Sequence, residues 1–325
     1  MKSELFKHGR EKGVLYLLKQ LSPNGQFGNP EAGVTDYYKV PSALQVSGRS
    51  QAANMLIDWI RKNGFEPNGD FGPRPKGDTP YYYLYFNSWV IIGAQRLGQF
   101  DLAQKGMQYL KQFWDSESGG FYSSITDISS TTKQDLWVTS GCGQAALYTG
   151  HLDIALGVGT WMKRLMELQP NYPQKLYTVY SRSQGLYTNV DKTDPIRYVL
   201  VNANDGDQFF FHPGIAAGFL ARLYQATLDQ QWLTLSIKYM EFAETASDHL
   251  LNLLRAGKVA WAASVLYTLT SKETYKNLSE KIGSNIISQQ ASDGSWHSVG
   301  EPNLRNDATA EMVVWLDEIY QATRD

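Results

Sequence analysis

One unit recurs along the chain: an amphipathic helix, often ending near a glutamine, then a short turn, then glycine, any residue and an aromatic. It reads Tyr16-Leu17-Leu18-Lys19-Gln20 with Gly25-Gln26-Phe27, and Trp59-Ile60 with Gly69-Asp70-Phe71. It returns as Tyr109-Leu110, Gln112 and Gly119-Gly120-Phe121, more loosely as Trp161 to Gln169 with Gly185-Leu186-Tyr187, and most sharply as Ile286-Ile287, Gln290 and Gly294-Ser295-Trp296. A further unit, Gln231 to Leu254, lacks the glycine–aromatic tail. Self-similarity at a period of about 40–50 residues means stacked supersecondary units.

Between these copies lie helices of another character: Tyr37–Val46, Tyr83–Leu97, Asp135–Tyr148, Phe211–Ala226, Val259–Thr270 and Ala308–Ala322. They carry small and apolar residues almost all round, as in Gly214-Ile215-Ala216-Ala217-Gly218, and a helix apolar on every side is buried. The intervening helices, such as Ala52 to Trp59, have one polar face and form an outer layer. An open solenoid gives no reason for an all-apolar second helix, whereas pairs closing on themselves do. The pattern predicts an all-α chain, a single (α/α)6 toroid of six outer–inner pairs spanning residues 1–325 as one domain. Inner helices end near glycines, as at Gly48, Gly98 and Gly150, which suits short returns. The outer-to-inner connections run to about 12–20 residues, and long loops in a compact domain usually carry function. The candidate site therefore lies at the N-termini of the inner helices.

Composition excludes several classes. The formal net charge is −2, so no basic stripe marks a nucleic-acid partner. The only cysteine, Cys142, can form neither an internal disulfide nor a cysteine-based zinc site and reads as a small packed residue. No apolar run approaches the roughly 20 residues that span a bilayer, and Met1 to Gly13 is too polar for a secretory signal, so a cytosolic protein is expected. No Gly-rich loop sits between a strand and a helix, which argues against a dinucleotide fold. The 20 Tyr, 13 Phe and 9 Trp must either fill the core or line a pocket.

At this point the residues carry a resemblance. Lys281 to Trp296 resembles the QW repeat of squalene–hopene and oxidosqualene cyclases, which are α/α toroids. Arg305-Asn306-Asp307-Ala308-Thr309-Ala310 is similar in register to the acidic motif of class II terpene cyclases. Asp307 falls on its proton donor, and Arg305 and Ala308 replace its other acidic positions. A single toroid of this length resembles the monodomain cyclases of meroterpenoid biosynthesis, such as those making cyanobacterial merosterolic acids. The resemblance implies proton-initiated cyclisation of a prenylated aromatic or long isoprenoid. It needs no cofactor and no metal. The hydrophobic substrate could be delivered through peripheral membrane contact, and oligomerisation is left open. Neither the Asp-rich magnesium motifs of class I terpene synthases nor the zinc set of protein prenyltransferases is present.

That chemistry needs a strong acid in a dry pocket, with aromatic faces for the cation. Asp307 precedes an inner helix, where the dipole favours a carboxylate, although Asn306 or Asp307 would serve equally as a helix cap. Asp78, before Tyr81 and Tyr83, is a second candidate acid or an ordinary turn residue. His212, in Asp205 to Pro213, could sharpen the acid or be a satisfied core histidine, and Asp205 and Asp207 give weak evidence for a metal. Tyr38, Tyr81, Tyr83, Trp89, Trp137, Phe209, Phe211 and Trp261 gather near inner-helix starts as candidate pocket walls. Of the basic groups Arg74, Lys76, Lys258 and Arg305, an arginine could hold a substrate carboxylate. Asp135 reads most simply as a cap.

Two other classes compete. Phe113-Trp114-Asp115-Ser116-Glu117-Ser118-Gly119-Gly120-Phe121 resembles a segment of N-acylglucosamine 2-epimerases, sugar enzymes that use paired histidines inside the barrel. Here only His212 lies on an inner helix; His8, His151, His249 and His297 do not. A glycosidase would need two facing carboxylates, which Asp78 with Asp207 or Asp307 could supply. A toroid that merely binds a hydrophobic ligand would leave the acids as caps.

Overall fold

The computed structural model describes residues 2–74, 81–189, 200–206, 208–246, 249–297 and 304–324. Asp78, Lys76 and Asp207 lie outside the described residues. Regular structure is overwhelmingly helical. The helices are α1 (Lys2–Lys19), α2 (Val34–Tyr37), α3 (Val40–Val46), α4 (Ser50–Asn63), α5 (Tyr83–Arg96), α6 (Phe100–Lys111), α7 (Leu136–Tyr148), α8 (Leu152–Glu167), α9 (Phe211–Thr227), α10 (Gln230–Thr245), α11 (Gly257–Thr270), α12 (Glu273–Ser288) and α13 (Arg305–Thr323). The contacts divide the chain into two compact units, the first comprising Met1–Thr79, Phe86–Gln112 and Ile286–Asp325, the second Pro80–Tyr85 and Phe113–Asn285.

The alternation expected from the repeat is present. In α9, every residue from Phe211 to Ala221 is buried, whereas α4 buries only Ala53, Leu56, Ile57 and Ile60, the i, i+3, i+4, i+7 stripe of an amphipathic helix. Within the first unit α1 packs on α13, and α3 on both α4 and α13. The first helix of the chain is thereby joined to the last. Within the second unit α9 is the hub, packed against α7, α10 and α11.

The glycine–aromatic tail has a structural explanation. In three copies the same turn closes with a pair of backbone hydrogen bonds, as when Gly294 N donates to Ala291 O and Ala291 N to Ser295 O, both at 2.9 Å; in the Gly119 copy the turn is one residue longer, Gly119 N donating to Asp115 O at 2.7 Å. Gly25, Gly69, Gly119 and Gly294 all have φ between 88° and 96°, and each backbone rests on a carbonyl of another outer helix: Met55, Lys105, Gly157 and Lys12 respectively. The aromatic two residues on (Phe27, Phe71, Phe121 or Trp296) is buried. Gln290 Nε2 ties the turn by donating to the carbonyls of Gly9 (2.9 Å) and Gly294 (2.8 Å), and Trp296 Nε1 donates to Ile286 O at 2.7 Å. The repeat is thus a staple between neighbouring outer helices. The looser copy differs: Gln169 Nε2 donates to Tyr177 O (2.9 Å) and its Oε1 accepts from Tyr177 N (2.8 Å), while Gly185 turns a small hairpin.

A Cβ at Gly294 would fall 2.4 Å from Lys12 O at a φ of 94°, whereas at Gly48 nothing lies within 4 Å at a φ of 77°. Gly294→Ala should therefore cost about 2–4 kcal/mol and Gly48→Ala about 1–2. Urea denaturation of both variants checks this, and equal losses would mean that the close approach is not felt.

Short strands occupy long connections of the second unit: β1 (Gln134–Asp135), β2 (Lys175–Tyr177), β3 (Val179–Ser181), β4 (Gly185–Leu186) and β5 (Leu200–Asn202). They form an antiparallel sheet β1-β3-β4, with Asp135 opposite Val179, and an antiparallel pair β2-β5. Their role is positional. They hold the chain entering α7, where Leu136 N donates to Thr178 O at 2.9 Å.

Candidate functional site

In the first unit the chemistry gathers on the first turns of α13. Arg305, Asn306 and Asp307 lie inside the helix, whose N-cap, Leu304, makes no side-chain capping bond. None of the three is spent as a cap, and each reaches a different partner. Asp307 faces Lys39, whose ammonium lies 2.8 Å from Oδ1, off hydrogen-bond alignment, so the attraction is that of an ion pair. Lys39 is only 3% exposed and also pairs with Glu311, one turn along α13. Trp315 Nε1 donates to Glu311 Oε1 at 3.1 Å, and Lys39 lies over the rings of Tyr38 (4.9 Å) and Trp89 (5.9 Å). Trp89 in turn packs edge-on to Trp315 at 5.8 Å. A buried ammonium is thus paired with two carboxylates, as a buried charge must be paired, and walled by aromatics.

Beside it, Asn306 Nδ2 donates to Asp36 Oδ1 (2.8 Å), and the backbone N–H of Asn29 donates to Asp36 Oδ2 (2.8 Å). Burial pushes the Asp36 carboxyl up, and the charge of Asp307 adds to this against the two donors. Arg305 binds Ser295 Oγ through Nε (2.8 Å), pairs with Asp293 and covers the Tyr16 ring at 5.1 Å. Tyr16, Asn29, Asp36, Arg305 and Asn306 border an open polar cleft of roughly 650 Å³.

In the second unit the focus is His212, the second residue of α9 and fully buried. Its Nδ1 lies 3.0 Å from the Phe209 carbonyl. Because a carbonyl only accepts, Nδ1 carries the hydrogen and Nε2 the lone pair. The ring stacks on Phe211 at 4.4 Å. Burial, with a smaller contribution from nearby Lys258, pushes the imidazole down to about 3, so it is neutral at physiological pH. Lys258, on α11, sits 5.2 Å over the Phe211 ring, and Arg255 lies 4.9 Å over Phe209. Trp137 extends the aromatic wall, with ring centroids 4.8 Å from Tyr82, 4.7 Å from Tyr85 and 5.1 Å from Phe211.

The remaining candidates disperse. Tyr81 packs with Tyr82 and Tyr187 against Val179, and Tyr83 opens α5, half-buried. Trp261 is buried where Gly218 of α9 makes room for its ring, a packing role. Cys142 is buried, and Arg74 bonds to Asn87. Among the described residues no group of three or more His, Cys, Asp or Glu could hold a metal ion. Asp135 caps α7, its Oδ1 accepting from the N–H groups of Trp137 and Val138 at 2.9 Å while Ser123 holds the other oxygen. Asp135→Ala should lower stability by about 1–2 kcal/mol, read from the urea midpoint, and Asp135→Asn by distinctly less. Identical losses would mean that the cap oxygen is not what matters.

Lys39, Asp36 and Glu311 were missed by sequence reasoning. A signal existed for Lys39 and Glu311: Lys39 is the lone charge of its segment and Glu311 sits among the apolar residues that open the last one, so in a segment otherwise read as buried each must find a partner.

No protein-family model matches the chain, and no curated protein sequence matches it. Solved structures do. A D-mannose isomerase superimposes with a TM-score of 0.75 at 13% identity over 97% of each chain. A cellobiose 2-epimerase from Bacillus thermoamylovorans B4167 gives 0.70 at 10% identity over 97% of this chain and 98% of that one. An α-1,6-mannanase from Salegentibacter sp. HEL1_6, an inactive variant with two adjacent aspartates replaced by alanine, gives 0.64 at 13% identity over 99% of each. The chain therefore has the all-α (α/α)6 fold of these proteins, as its repeat implies.

The same likenesses overturn the terpene-cyclase reading, because the mannose isomerase, the mannanases and the cellobiose 2-epimerase that superimpose along the whole chain are sugar-active enzymes. The class II cyclase activity, the isoprenoid or prenylated aromatic substrate and its delivery from a membrane fall with it. The physical reason is visible in the staple. The glutamine and aromatic of the repeat bind backbone and close turns, so they report α/α pairing and say nothing of the chemistry inside. Among the described residues no helix is long and apolar enough to cross a membrane.

Proposed function

We propose that the protein is a sugar-active enzyme that isomerises or epimerises a small sugar by moving a proton at the carbon next to a carbonyl. The observation that carries this reading is His212: a neutral imidazole on the first turn of an inner helix, its Nδ1 hydrogen committed to the Phe209 carbonyl and its lone pair on Nε2. Such a nitrogen is in the unprotonated state that a general base needs. The Lys258 ammonium nearby would favour the enediolate that results, since opposite charge is worth most where water is excluded. The helix N-terminus of α9 acts in the same sense. His212 is fully enclosed, so Phe211, stacked upon it, must yield when a sugar enters. The likeness in fold to D-mannose isomerase and cellobiose 2-epimerase supports the same chemistry. A hydrolase of the mannanase type has less support, because this sequence contains no two adjacent aspartates.

The test is to incubate the protein with D-mannose, D-glucose, N-acetylglucosamine and cellobiose in D2O and follow deuterium entry at C2 by proton NMR. Exchange with appearance of an isomer is expected for at least one sugar. Release of monosaccharide from cellobiose or a manno-oligosaccharide without C2 exchange would replace this reading by a hydrolytic one.

A further inference from the structure

The cleft of the first unit is built with an excess of hydrogen-bond acceptors. Its walls include Asp36, Asn306, Glu31 and Tyr16, with Arg305 at one side. The Asn306 amide is oriented by its donation to Asp36, which turns Oδ1 the other way. That oxygen is buried and has no hydrogen-bond partner. A buried acceptor left unsatisfied costs about 1–3 kcal/mol, so it marks a place where a donor belongs. The backbone makes room on purpose. Gly28 has φ 58°, and a Cβ there would fall 1.9 Å from Asp36 Oδ2 and 3.0 Å from Asn306 Nδ2. Any other residue at position 28 would push this pair out of place.

The charges select the ligand. Arg305 is already paired with Asp293 and bonded to Ser295, so its charge is largely spent. Glu31 and Asp36 remain as acidic groups on the wall. An anion would be repelled, whereas a molecule rich in O–H donors would satisfy Asn306 Oδ1 and both carboxylates. The flat face formed by Arg305 over Tyr16 offers a wall for a ring. We infer that this cleft, centred on Asp36 and Asn306, is a binding subsite for a neutral, hydroxyl-rich ligand, a sugar or the end of a sugar chain, and that it rejects uronates. The inference takes its choice of probes from the sugar-active reading above, and its geometry from the cleft alone.

Saturation-transfer NMR on the full chain with cellobiose, D-mannose and D-glucuronate tests it, alongside the C2 exchange assay. Ala32 lies half-buried on the cleft wall, so Ala32→Trp fills the cleft without touching the core. Asn306→Leu removes the waiting acceptor. Wild type should bind a neutral sugar and not glucuronate, and both variants should weaken that binding at least about tenfold. Absence of neutral-sugar binding, equal binding of glucuronate, or binding that Ala32→Trp leaves intact would each overturn the inference. Should binding respond to the variants while no sugar exchanges at C2, the subsite stands and the catalytic reading falls. Should exchange proceed while binding ignores both variants, the subsite alone falls.

Discussion

Replacing Lys39 by methionine should destabilise the protein by about 3–5 kcal/mol. Methionine matches the stem of the lysine in volume, so packing changes little. What is lost is the ammonium between Asp307 and Glu311, both of them largely buried, and two carboxylates then face each other across a dry gap. Asp307→Asn should be far milder, about 1–2 kcal/mol, because Lys39 keeps Glu311 and one ammonium then faces one carboxylate. Urea denaturation of the two variants decides the matter. A loss below about 1 kcal/mol for Lys39→Met would show that water enters and that the cluster is not a buried one. The cluster also carries a consequence for Asp307. It is one arm of an ion pair, so its replacement should be felt in stability before it is felt in any proton transfer.

The second large effect concerns His212. His212→Gln should lower C2 deuterium exchange about 10²- to 10⁴-fold, the usual contribution of a positioned base. The same substitution has a thermodynamic signature. The native imidazole is pushed down to about 3, against about 6.5 in an unfolded chain. Above pH 6.5 neither state holds the proton, and stability is unaffected. As pH falls below 6.5 the unfolded state binds a proton that the native state refuses, so stability is lost progressively down to about pH 3. Between pH 7 and pH 5 this group alone should cost about 2 kcal/mol. In His212→Gln the stability curve over that range should be flatter by that amount. An unchanged acid slope would mean that His212 is not neutral in the folded protein, and unchanged exchange would remove it from the chemistry.

Much of the fold was legible because the repeat has a simple physical cause. Apolar residues on every side of Phe211 to Ala221 and on one side only of Ser50 to Asn63 distinguish a helix surrounded by protein from one half in water, and the structure keeps that distinction. The staple was legible as a pattern and misleading as a label. Gln290 and Trp296 stand where they do to satisfy backbone groups at a turn, a demand of any closely packed α/α pair, so their likeness to the cyclase repeat could not identify a reaction. The fragment Phe113 to Phe121, which pointed towards sugar epimerases, is equally a turn. Asp115 in it accepts from Gln134 Nε2 (2.9 Å) and pairs with Arg182 (2.8 Å).

The sites were less legible, because they depend on partners distant in sequence. Asp307 looked like an isolated acid at a helix start. That it is one arm of an ion pair follows only from bringing Lys39 to it across 268 positions, as the joining of α3 to α13 does. His212 was visible as the one histidine on an inner helix, yet its tautomer and its lowered affinity for protons come from the Phe209 carbonyl and from burial. Asp36 gave no signal, since its environment is made by Asn29, Gly28 and Asn306 together. The sequence by itself determined the helical alternation, the turns between helices and the (α/α)6 class, because these rest on local periodicity and on glycines at positive φ, where a side chain costs strain. Only the tertiary structure decided which charges meet, which acceptor is left waiting and which imidazole is dry, because electrostatic environment is a property of neighbours in space, and the chain order does not record them.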